Sequence, residues 1–127
     1  MPRKNRMRER CEKLLEDGEM ILLAADATCK LGLLSDFGMG GAYLTELRIL
    51  WLRRDIPVIT PLLFWIPDLV EIQLSEIDTI RKVSDFSRAW LDITTEGKNY
   101  KLRMGRDSYL MLRDNPETTE EWFQAIR

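Results

Sequence analysis

At 127 residues, 45% hydrophobic and 31% charged, the chain fits one globular domain with a single core and is too short for two. Nineteen basic against twenty-one acidic residues give a net charge of -2, which excludes the strongly basic balance of a dedicated nucleic-acid binder. There is no histidine and there are two cysteines, so the commonest general base and most zinc sites are excluded together.

Charge is uneven along the chain. Residues 1–13 hold Arg3, Lys4, Arg6, Arg8, Arg10 and Lys13 against Glu9 and Glu12, a local +4 that leaves -6 for the remainder. Within this basic arm Met7, Cys11, Leu14 and Leu15 recur at helical spacing, which predicts a short amphipathic helix over 3–15 stopped at Glu16-Asp17-Gly18, with Gly18 as its C-terminal cap. No apolar run follows the basic residues, so a secretory signal is not expected. Cys11 and Cys29 lack any framework spacing and read as free thiols of a reducing compartment.

From residue 19 the period changes to two. Ile21, Leu23, Ala25, Ala27 and Cys29 alternate with Leu22, Ala24, Asp26, Thr28 and Lys30, a strand with one apolar side. Gly32, Gly38, Gly40 and Gly41 mark residues 31–41 as a long irregular connection. Residues 42–54 read as two short antiparallel strands around a turn at Thr45 to Leu47. Here Thr45 is placed to bond local backbone, Arg48 to reach a carboxylate or carbonyl, and Trp51 to fill a large pocket, all scaffold roles.

A proline-broken apolar loop spans residues 55–68. Beyond it, Val70, Ile72, Leu74, Ile77, Ile80 and Val83 predict one bent or bulged fourth strand. The stretch 90–104 is a hairpin turned at Glu96-Gly97-Lys98, and a second turn at Gly105 to Asp107 leads to a last strand over 108–113. Pro116 then opens a helix to Arg127, with Thr118 and Glu121 at capping-box spacing and Trp122, Phe123 and Ile126 on one face. The expected fold is mainly β: seven antiparallel strands rolled into a barrel or sandwich, capped by the C-terminal helix, with an additional N-terminal helix over 1–18 outside a domain of 19–127.

Gly41-Ala42-Tyr43-Leu44-Thr45-Glu46-Leu47-Arg48-Ile49-Leu50-Trp51 resembles the hallmark strand pair of GRAM-type members of the pleckstrin-homology (PH) superfamily. Ile72-Gln73-Leu74-Ser75-Glu76-Ile77, the hairpin Leu91 to Lys98 and the closing Glu120-Glu121-Trp122-Phe123-Gln124-Ala125-Ile126 are similar to later family motifs in the same order, so the resemblance covers 19–127. It implies a PH-like fold and a noncatalytic binding module. In many PH domains a lysine ending the first strand and basic residues on the next surround a phosphoinositide headgroup. The resemblance puts Lys30 in that position, with Arg53 and Arg54 as companions, although Ala42 to Glu46 lacks the paired basic residues.

The loop 56–67 is the least ordinary feature. Its Leu63, Phe64 and Trp65 either pack on their own domain, form a partner or self-association surface, or insert shallowly into a membrane beside Arg53 and Arg54. The leading expectation is a cytoplasmic protein-binding or scaffold domain of a larger assembly; the alternative is peripheral attachment to anionic lipid. No enzyme activity, cofactor or metal is expected. Nor is nucleic acid, for which Arg81, Lys82, Arg88 and Trp90 give only a faint basic face.

Overall fold

The computed structural model describes residues 3–31, 35–53, 69–85, 88–108, 111–114 and 116–127. In chain order these form α1 (Arg3–Glu12), β1 (Ile21–Leu31), β2 (Ser35–Thr45), β3 (Arg48–Arg53), β4 (Leu69–Gln73), a 3-10 turn (Leu74–Glu76), β5 (Ile77–Asp85), β6 (Arg88–Thr95), β7 (Lys98–Ser108), β8 (Met111–Asp114) and α2 (Pro116–Ile126). Seven strands lie on one antiparallel path, β4-β3-β2-β1-β7-β6-β5, and β8 pairs with β7. No β4–β5 pairing closes this path into a barrel among the described residues. The main core draws on both halves at once: Ala27, Trp51, Ile72, Ile93, Leu102 and Trp122 belong to one buried cluster. A single sheet whose two halves feed one cluster has to fold over on itself, which gives a sandwich with α2 as its cap.

β1 makes this possible. It pairs with β2 along Ile21 to Leu31, but with β7 only from Asp26 to Leu31. The chain therefore leaves one half of the sheet while remaining in the other. α2 supplies the cap with Trp122, which is fully buried, while Phe123 and Ile126 pack on the cluster beside it. Lys82 bonds Glu120 and lies 5.1 Å from the centre of the Phe123 ring, so an ion pair and a cation–π contact tie α2 to β5.

A second cluster forms on the other face of β2 and β3. Met7 and Cys11 of α1 meet Tyr43, Leu50 and Leu52, with Leu15 and Ile21 at the margin. The near-continuous apolar run of β3 follows from this double burial: Ile49 and Trp51 enter the main core, whereas Leu50 and Leu52 lie beneath α1. The basic N-terminal helix is thus part of the packing.

Four sequence expectations need correction. Residues 31–41 are not one irregular connection, because β2 begins at Ser35. Its glycines serve close approach: a Cβ on Gly40 would stand 2.0 Å from the Leu52 carbonyl oxygen and 2.9 Å from the Trp51 ring, so no side chain fits. The expected bent fourth strand is two strands, β4 and β5, which sit at opposite ends of the sheet path with the 3-10 turn between them. β7 runs through Gly105 to Ser108, so the last strand starts later, at Met111. Finally, α1 ends at Glu12 and Gly18, at φ 84°, belongs to a separate turn closed by the Glu19 amide donating to the Glu16 carbonyl. The hairpin at Gly97, with φ 75°, and the position of α2 agree with the sequence reading.

Gly40→Ala is expected to lower unfolding free energy by at least about 2 kcal/mol through this clash, and Trp122→Ala by about 3–5 kcal/mol through loss of the cap. Urea denaturation followed by circular dichroism measures both. A Gly40→Ala protein as stable as wild type would contradict the β2–β3 approach.

Candidate interaction surface

At one end of the sheet, the turn after α1, the start of β1, the β2–β3 turn and β4 converge on a buried ion pair. Glu19 is buried, and its carboxylate accepts from Arg48 twice, Nε to Oε2 at 3.0 Å and Nη2 to Oε1 at 2.9 Å. This is the forked, two-bond geometry that makes arginine–carboxylate pairs strong and directional. The Thr45 hydroxyl donates to Oε2 at 2.6 Å and the Glu16 amide to Oε1 at 2.9 Å. Arg48 Nη2 also donates to the Leu14 carbonyl at 2.7 Å, and Nη1 reaches Glu71 of β4. Thr45 Oγ1 in turn accepts from the amides of Leu47 and Arg48, each at 3.1 Å, which shapes the tight turn.

The hydrogen bonds from Arg48 hold the Glu19 carboxyl at about 2, well below its ordinary 4.5; burial opposes this, and Thr45 and the Glu16 amide add to it. The same bonds push the Arg48 guanidinium up, so both partners stay charged. Since all four of these donors point at Glu19, its oxygens have no capacity left for a substrate. Burial also drives Cys11 up to about 11 and Tyr43 up to about 12.

Around this network stand large apolar side chains that the protein leaves in water. Met20 is 65% exposed, Leu22 56%, Leu47 44% and Leu14 41%. The Met20 amide donates to the Glu46 carboxylate at 3.1 Å, which brings Met20 to the turn that carries Leu47, while the Arg48 bond fixes Leu14 nearby. The network is therefore the base beside which Leu14, Met20 and Leu47 stay in water, with Leu22 two residues further along the chain from Met20.

The sequence-derived cations are distributed differently. Lys30 is half-buried, alternates with the core residue Cys29 and so faces away from the main core, opposite Lys101 of β7 and Asp36 of β2. Arg53 is 6% exposed, keeps the parity of Ile49 and Trp51, and its carbonyl accepts from Arg10 at 3.3 Å. Lys30 and Arg53 thus lie on opposite faces of the sheet and do not converge. Arg54, Leu63, Phe64 and Trp65, with the rest of the 56–67 loop, fall outside the described residues. Arg48 and Trp51 have the expected scaffold roles, Trp51 being fully buried with its indole N–H donating to the Ala27 carbonyl at 3.0 Å.

A further charged set lies on the outer face of the other half. Asp92 accepts from Arg81 at 2.8 Å and from Asn99; burial alone would raise its pKa, but these bonds reverse the direction and lower it. Arg103 stands 5.7 Å from the centre of the Trp90 ring. Among the described residues no group of three or more Cys, Asp or Glu side chains is arranged to hold a metal ion, and no helix is long and apolar enough to cross a membrane.

No family model matches the chain and no curated protein is similar to it. Among solved structures it is similar to the crystal structure of the C-terminal domain of an unknown protein from Leishmania infantum, with a TM-score of 0.63 and 12% identity over 97% of this chain and 96% of that one. At such low identity the likeness concerns the fold.

Two measurements check the site. Between about pH 2 and 4.5 the folded protein binds fewer protons at Glu19 than the unfolded chain does, so stability rises with pH across that window and is complete above it. Glu19→Gln is expected to remove about 3 kcal/mol at neutral pH and to flatten this acid limb in denaturation curves. A variant with the wild-type acid limb would show that Glu19 does not carry it. For the helix contact, Cys11 is expected to resist alkylation at pH 8 and to become reactive in Met7→Ala, with mass mapping to separate it from the buried Cys29. Rapid Cys11 labelling in native wild type would contradict the docked helix.

Proposed function

We propose that the chain is a noncatalytic, PH-like protein-binding module that acts as a scaffold element of a larger assembly. The observation that carries this reading is the exposed apolar group Leu14, Met20, Leu22 and Leu47, held in place by the Glu19–Arg48 pair. Large apolar side chains left in water beside polar groups match the apolar centre and polar rim of protein interfaces. The carboxylate with the most strongly perturbed acidity is saturated by structural donors, which supports a role other than catalysis.

Attachment to anionic lipid is the second reading, favoured by the adjacent Lys30 and Lys101. Two features weaken it. Arg53 is buried, and the apolar residues Met7 and Cys11 of α1 are already used against β2 and β3, so the basic helix keeps no apolar face to insert while docked.

Photo-crosslinking groups placed at Met20 and at Leu47 are expected to capture a defined protein partner that groups placed at Thr94 and Asn99 do not. Sedimentation with phosphatidylserine vesicles at low salt is expected to leave the protein in the supernatant. Salt-sensitive vesicle binding lost in a Lys30→Ala/Lys101→Ala protein, without site-selective crosslinks, would replace the first reading by the second.

A further inference from the structure

Two rungs of the β1–β7 ladder gather three cations on the face turned away from the main core. Lys30 pairs with Lys101 and Thr28 with Arg103, and these four alternate with the core residues Cys29 and Leu102. Like charges directly opposite one another destabilise a sheet. Thr28 adds an unmet donor: it is 9% exposed, and its Oγ1 has no hydrogen-bond partner among the described residues. A buried hydroxyl left in that state costs free energy until an acceptor reaches it. Arg103 stands 5.7 Å from the centre of the Trp90 ring, which holds its guanidinium on this face.

We propose that this strip binds one compact phosphate-monoester group of a soluble ligand. The Thr28 hydroxyl donates to a phosphate oxygen, and Lys30, Lys101 and Arg103 offset the negative charge. Same-face neighbours along a strand are about 7 Å apart, within the reach of a lysine side chain, and the half-buried lysines can swing aside to admit the anion. Acids set the width of the strip. Asp36 is opposite Lys30 in the β2 register and Asp92 is opposite Lys101 in the β6 register, so the cations occupy two strands only. The Asp92 carboxylate is taken by Arg81 and Asn99. A lipid surface would press its many anions against these acids too, whereas a single phosphate meets the cations alone. Nor is this the pocket that the resemblance implies, because the companions of Lys30 come from β7 and Arg53 lies on the opposite face. The strip is at the other end of β1 from Met20, and the proposal does not depend on the protein-binding reading.

Titration with inorganic phosphate, against sodium chloride of equal ionic strength and followed by amide chemical shifts, tests it. Phosphate is expected to shift the amides of Thr28, Lys30, Lys101 and Arg103 saturably and to raise the melting temperature, and chloride to do neither. Thr28→Val removes only the unmet hydroxyl, so it is expected to keep the phosphate-free melting temperature and to bind phosphate at least about tenfold more weakly. Lys30→Ala/Lys101→Ala is expected to abolish the binding. Phosphate that acts no differently from chloride, or a Thr28→Val protein with wild-type affinity, would overturn the proposal. So would binding to vesicles carrying phosphatidylinositol phosphate in the absence of any binding to free phosphate, an outcome that assigns the lysines to a membrane. The crosslinks at Met20 and Leu47 judge the protein-binding reading separately, and it stands or falls independently of these results.

Discussion

The fold turns on one buried charge pair. Taking Glu19 and Arg48 out of water is unfavourable by several kcal/mol per ion unless each is paired and its remaining hydrogen-bonding capacity is filled. The chain meets that demand by drawing on four separate segments: the turn after α1 through Leu14 and Glu16, the approach to β1 through Glu19, the β2–β3 turn through Thr45, and β4 through Glu71. None of these can shift without stranding a charge. The pair therefore specifies where the helix leaves off and where the sheet begins, and it fixes the neighbouring apolar residues in water instead of letting them collapse inward.

That arrangement explains an otherwise odd distribution of apolar surface. β3 is covered on both faces, one by the main core and one by α1, while Met20, just before β1, and Leu22 within it stay exposed. A domain seeking only stability could cover these residues by extending α1 further along the sheet. Instead Leu14 and Leu15 close the helix region with backbone bonds to Cys11 and Glu12, and the chain turns back at Gly18. What remains open is consistent with a surface kept for association.

Much of the fold was legible because periodicity reports burial directly. The alternation of β1, the hairpin at Gly97 and the Trp122 face of α2 each follow from local spacing. Two of the misreadings share one cause: the physical reason for a residue lay on a distant strand. Gly40 looks like loop chemistry until Leu52 and Trp51 are brought against it. Leu74 to Ile77 looks like a bend until β4 and β5 are assigned to different ends of the sheet. For the site, Arg48 and Thr45 were visible as residues in need of local partners. Glu19 was missed, although its parity matches Ile21 and an acid on a packed face demands a cation. The register shift between Ile21 and Leu23 corrects the expected single apolar side of β1, since it sends Ile21 to the α1 cluster while Leu23 and Ala25 pack on the main core, and it has no local signature.

Sequence-adjacent hairpins and meanders account for most of the ladders: β1 to β4 in one run, β5 to β8 in the other. The β1–β7 ladder differs, since it joins Asp26 to Gly105 and spans the length between the two runs. Closing so long a segment loses the most chain entropy before any contact compensates for it. Each run can organise by itself as a half-formed sheet with a bare apolar side, and folding becomes cooperative at the moment when the first strand meets the seventh. Nascent chains accordingly carry their greatest risk of misassociation in the interval before that meeting, when the first run has been made and the strand that completes it has not.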